Sequence, residues 1–203
     1  MARTGRLISK EFVDESQPGL AIVLDNQSLQ NEQLARLYEA SKHNPFETAV
    51  KIAASLGDYA LKRGYPLHLT GEFAPHGPLT ADLLWQTLAR VSPNGERPLA
   101  ESLSQITQTF VAVILPYPNE AAVSQLIPLA QRGHTIRAYL VDVSTFPQHD
   151  ASPSPSQSQS QSQSPSPSSE VLADMLKANQ IETCLISYDT DWTIDEPLAR
   201  STV

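Results

Sequence analysis

The stretch Leu20-Ala21-Ile22-Val23-Leu24 is short, unbroken and apolar, and the Pro18-Gly19 before it is a turn signal. A run of this length without polar alternation reads as a strand buried on both faces, the kind that occupies the middle of a parallel sheet. It ends on Asp25, and polar residues follow at once. In open α/β sheets, ligands sit outside the carboxyl ends of the strands. Asp25 therefore stands where such a fold places chemistry, and the central question is whether any chemistry remains there.

The rest of the chain supplies what a buried strand of this kind requires. Pro45-Phe46-Glu47 opens a long helix in which Val50, Ala53, Leu56, Ala60 and Leu61 recur at helical spacing, and Arg63-Gly64 is a stop signal. Residues 65–70 alternate as a strand, and a second helix is predicted over 79–91 with Leu83, Leu84, Leu88 and Val91. A short third helix begins near Pro98. Phe110 to Leu115 is another unbroken apolar run, hence a second fully buried strand. A helix over 120–132, a strand over 134–143, a helix over 170–178 and a last strand over 181–188 complete the pattern. Strands that alternate with helices imply right-handed crossovers and a doubly wound, mostly parallel α/β sheet in one domain. Before the first buried strand, residues 7–13 can form an edge strand, given Lys10 and Glu11. Residues 26–44 are polar with Leu29, Leu34 and Leu37 interspersed, a short helix or an ordered excursion. Residues 151–169 are almost wholly Ser, Pro and Gln, and cannot bury enough apolar surface to offset their ordering entropy. They read as a disordered insertion rather than a domain boundary, because too few residues follow to make a second core.

Charge and composition exclude several function classes. The 203 residues carry a formal net charge of −8, which argues against a nucleic-acid surface built on clustered Lys and Arg. No apolar run approaches the roughly 18 residues of a spanning helix, and the N-terminus lacks the apolar core of a signal peptide. The cytoplasm, or the periphery of the inner membrane, is the expected location. Cys184, alone in the sequence, lies in an apolar run and reads as a small buried hydrophobe. His43, His68, His76, His134 and His149 show no metal-ligand spacing, and no Gly-rich phosphate loop follows the first buried strand. Asp189-Thr190-Asp191 reads as the start of an acidic solvated tail, Ser104 has no placed His and acid, and Trp85 and Trp192 read as core or rim packing.

Three stretches, in order, carry a family resemblance. Ala2-Arg3-Thr4-Gly5-Arg6-Leu7 with Lys10-Glu11-Phe12 comes first, then the apolar strand ending in Asp25, then Phe46-Glu47 with Ala53-Ala54-Ser55-Leu56 and Arg63-Gly64-Tyr65. Together they resemble the C-terminal part of the bacterial DUF58 family, whose core is similar to a von Willebrand factor A domain. The resemblance implies a Rossmann-like three-layer fold. It also implies that the chain is a piece of a longer protein, since family members carry transmembrane helices and further β structure upstream.

Domains of this fold often bind a divalent cation at the strand tops through an Asp-x-Ser-x-Ser motif. Mg²⁺ wants six oxygens in near-octahedral array, and here the three positions read Asp25, Gln27 and Leu29, with Ser28 one residue out of step. The element that supplies a Thr in such domains is matched by Gly95-Glu96-Arg97-Pro98-Leu99, with Arg97 at the Thr position. Where a distal Asp would follow the second buried strand, this chain has Pro116-Tyr117. Asp25, Gln27, Ser28, Arg97 and Tyr117 thus form a vestigial site, with no metal and no cofactor expected. Three roles stay open for Asp25: accepting backbone N–H bonds at a strand-to-loop turn, pairing with Arg97, or residual metal ligation. The resemblance implies a non-enzymatic protein-interaction module whose partner is a protein, in this family a MoxR-type ATPase. The alternative is a small ligand-binding protein or enzyme using the rim around Asp25, Arg97 and Tyr117.

Overall fold

The structure is a computed structural model and describes residues 19–27, 44–75, 77–147 and 167–188. The expected edge strand at 7–13, the stretch 28–43, the Ser/Pro/Gln run up to residue 166 and the acidic tail from residue 189 lie outside the described residues. Five strands form one sheet: β1 (Leu20–Leu24), β2 (Leu67–Thr70), β3 (Phe110–Leu115), β4 (Thr135–Val141) and β5 (Glu182–Ile186). Their order is β2-β1-β3-β4-β5, and every pairing is parallel. Five helices cross between them: α1 (Pro45–Lys62), α2 (Ala81–Leu88), α3 (Leu99–Ser104), α4 (Glu120–Gln131) and α5 (Ser169–Ala178). The chain has the doubly wound α/β fold, in an order consistent with a Rossmann-like or von Willebrand factor A-like arrangement.

The unbroken apolar runs follow from the layering. On β1, Leu20, Ile22 and Leu24 belong to the core under α1 and α2, together with Ala112 and Ile114 of β3. Ala21 and Val23 belong to the opposite core, with Val111, Val113 and Leu115, under α3, α4 and α5. Each face of the strand has its own hydrophobic layer, so neither set of alternate positions can be polar.

Helix α1 is specified at both ends. The Asn44 side chain accepts the Glu47 N–H at 2.7 Å, Pro45 occupies the first turn, and Lys62 stands in the last. At the other end Gly64 takes φ 78°, while its N–H donates to Leu61 O (3.1 Å) and that of Tyr65 to Ala60 O (2.9 Å). These two bonds satisfy carbonyls that the helix would otherwise leave open. Phe46, Ala49, Ile52, Ala53, Leu56, Gly57 and Ala60 form its buried stripe.

Some boundaries differ from the sequence-based expectation. The second helix begins at Ala81 rather than 79, because the Thr80 hydroxyl caps it by accepting from Leu83 N–H. Leu79 is buried all the same, and its N–H donates to Leu67 O at 2.7 Å, which ties the connection to β2. The third helix begins where the sequence places it, at Leu99 with Pro98 in the N-cap position, and ends at Ser104. Trp85 is 48% exposed on α2, so it is not part of the core.

Candidate functional site

The sheet order changes direction between β1 and β3. The chain leaves β1 toward α1 on one face, and leaves β3 toward α4 on the other. A crevice forms at the carboxyl ends of two strands whose connections part in this way, and Asp25 opens the β1 loop there. Its N–H donates to Ile114 O at 3.0 Å, which continues the β1–β3 ladder one residue beyond the strand.

The Asp25 carboxylate accepts the Gln27 N–H at 3.1 Å and is half-buried. This is the strand-to-loop turn bond, the first of the roles left open by the sequence. Burial pushes the Asp25 carboxyl above the ordinary carboxylate range, and the Gln27 N–H pulls the other way. The second of those roles, a pair with Arg97, does not form. Arg97 Nε lies 3.5 Å from Glu101 Oε1, an i,i+4 contact along the start of α3. The physical reason is local: Glu101 is one helical turn away and more than half exposed, so the pair forms there without burying the guanidinium.

The loop carrying Arg97 does reach the strand top, by main-chain contacts. Gly95 N–H donates to Asn26 O at 2.8 Å, and Gln27 and Gly95 form an isolated parallel bridge. Asn26 is buried, and its Nδ2 reaches Ser92 O at 3.5 Å. Gly95 has to be a glycine at this approach. A Cβ there would sit 2.6–2.7 Å from the Asn26 side-chain amide.

Sequence reasoning missed Glu72. Its Oε2 accepts both Glu96 N–H (2.8 Å) and Arg97 N–H (3.3 Å), and so fastens the loop after β2 to the loop before α3. The strand-top rim is thus joined from β1 through 95–97 to the end of β2. Tyr117 follows β3, packs partly buried against the core under α1, and its carbonyl receives Asn119 Nδ2 at 3.5 Å. Gln27, one half of the bridge, is exposed, and Ser28 lies outside the described residues.

Among the described residues no group of three His, Cys, Asp or Glu side chains is close enough to hold a metal ion. His134 Nδ1 meets Gln108 O at 2.8 Å, Ser104 Oγ donates to Glu101 O, and half-buried Cys184 packs against the core under α1. No described helix is long and apolar enough to cross a membrane. What the rim can do chemically is present a carboxylate, a guanidinium and main-chain groups on a stapled surface. No protein-family model, characterised protein or solved structure matches the chain.

Proposed function

We propose that the chain is a non-enzymatic protein-interaction module of the DUF58, von Willebrand factor A-like type, with a degenerate metal site at its strand-top rim. The observation that carries this reading is the stapled rim. The loops after β1 and β2 and the segment before α3 are joined by Gly95 N–H to Asn26 O and by Glu72 to the N–H groups of Glu96 and Arg97. Intrachain bonds thus hold together two of the segments that a bound cation would otherwise organise, the β1 loop and 95–97, and tie them to the loop after β2. A surface fixed in this way loses little freedom when a rigid partner docks.

The partner we propose is a MoxR-type AAA+ ATPase in the assembly of another complex, at the cytoplasmic side of the membrane. That partner rests on the resemblance of residues 2–12, 20–25 and 46–65 alone. Pull-down of a co-expressed ATPase of this type, with and without Mg²⁺, tests both parts. Retention in either condition, lost in Glu72→Ala with Arg97→Ala, is the expected result. Retention that requires Mg²⁺, with a Mg²⁺-dependent rise in Tm abolished in Asp25→Ala, would show a working metal site instead.

A further inference from the structure

A cavity of about 50 Å³ opens at the other end of the sheet, near the amino ends of β3, β4 and β5. Leu20, Leu56, Phe110 and Ala112 give it an apolar floor, and Arg137 and Tyr139 of β4 line its polar side. At roughly 10–15 Å³ per water-sized sphere, the space admits a chain of a few carbons. Arg137 carries an unusual feature. Its Nη2 pairs with Glu182 across β4 and β5, while its Nε is buried and meets no acceptor among the described residues. A guanidinium N–H that meets no protein acceptor at a cavity wall is open to an acceptor on a bound molecule.

Nε and Nη2 form one side of the guanidinium fork, and that side matches both oxygens of a carboxylate. Glu182 uses only half of it. The Arg137 side chain is 24% exposed and that of Glu182 59%, so Glu182 can turn out to water while Arg137 stays at the wall. Tyr139 keeps its phenol proton, since burial pushes it up to about 12. It stays neutral beside the guanidinium, which donates to its oxygen, and does not repel an anion.

We propose that this cavity binds short aliphatic carboxylates. The carboxylate lies side-on across Nε and Nη2 of Arg137, the alkyl chain enters among Leu20, Leu56 and Phe110, and Glu182 is the placeholder that the ligand displaces. The site is at the opposite end of the strands from the rim and does not depend on the function proposed for it.

Titration of the full chain with butyrate, followed by the Arg137 Nε–Hε NMR signal and the Leu56 methyl signals, tests the proposal. A saturable shift of both is expected with butyrate and none with 1-butanol, which lacks the second oxygen and the charge. Arg137→Met should abolish the response. Glu182→Gln, an exposed change that leaves the fold intact, should tighten binding about two- to fivefold, because it weakens the competing surface pair. No saturable shift, an equal response to 1-butanol, or weaker binding in Glu182→Gln would overturn the proposal.

Discussion

Gly95→Ala is the sharpest probe of how the rim is built. The new Cβ would meet Asn26 Nδ2, Oδ1 and Cγ at 2.6, 2.6 and 2.7 Å. Contacts below 3 Å force something to move, and Asn26, at 8% exposure, has little space to move into. The φ of Gly95 is not in the left-handed region, so the effect is steric rather than conformational. Overpacking of this kind costs about 1–3 kcal/mol. A change of 1 kcal/mol lowers Tm by roughly 2–4 °C in a domain of this size. Asn26→Ala removes the obstacle and loses only a long Nδ2 contact to Ser92 O at 3.5 Å, a cost of about 0.5–1 kcal/mol. The methyl group introduced by Gly95→Ala can then occupy the space left by the amide. The double variant should accordingly be more stable than the sum of the two single changes by about 1–2 kcal/mol. Urea unfolding of the four proteins measures this directly. Additivity within about 0.5 kcal/mol would mean that the two loops do not press on each other, and the account of the rim as a packed joint would fall.

Three further outcomes follow from the same geometry. Glu72→Ala should cost about 1 kcal/mol and raise the hydrogen-exchange rates of the Glu96 and Arg97 amides, which Glu72 now accepts; unchanged rates would show that the staple does not hold in solution. Burial raises the Asp25 carboxyl above its ordinary 3.8, so its contribution to stability is full below that pH and is lost as pH rises through the folded value. Asp25→Asn keeps an acceptor for Gln27 N–H without the charge, so it should be more stable than the parent at neutral pH, with the difference vanishing in acid; a constant difference across pH would refute the desolvation argument. In Gly57→Ala a Cβ would meet Leu84 Cδ2 at 2.5 Å at the contact of α1 with α2, and this overpacking, about 1–3 kcal/mol, should outweigh the roughly 1 kcal/mol gained in helix propensity; thermal unfolding reads the sign.

The sequence made β1 and β3 legible because burial on both faces leaves no room for polar alternation. Leu20–Leu24 and Phe110–Leu115 could be read from that alone. Helix α1 was equally plain, since Pro45 suits a first helical turn and Gly64 the position just past a helix end. The start of α2 was less so: Leu79 is apolar and fits the helical stripe, but its N–H is needed by β2. At the rim, the i,i+4 spacing of Arg97 and Glu101 was present in the sequence, and local pairing of this kind wins over a distant carboxylate. Glu72 could not have been singled out. Its partners lie 24 and 25 residues away, and only the crossover through α2 brings them to it.

The place of β1 in the sheet also bears on how the chain matures during synthesis. Leu20 pairs with Leu67 on one side and with Phe110 on the other. The first partner becomes available long before the second. At about 5–20 residues per second, the interval between completing β2 and completing β3 is on the order of seconds, far longer than a local element needs to form. Throughout that interval a β1–β2 pair would present an apolar strand with one row of main-chain groups open, the surface on which nascent chains aggregate. The slowest part of β1's assembly is therefore the wait for residues 110–115, its partner on the second side.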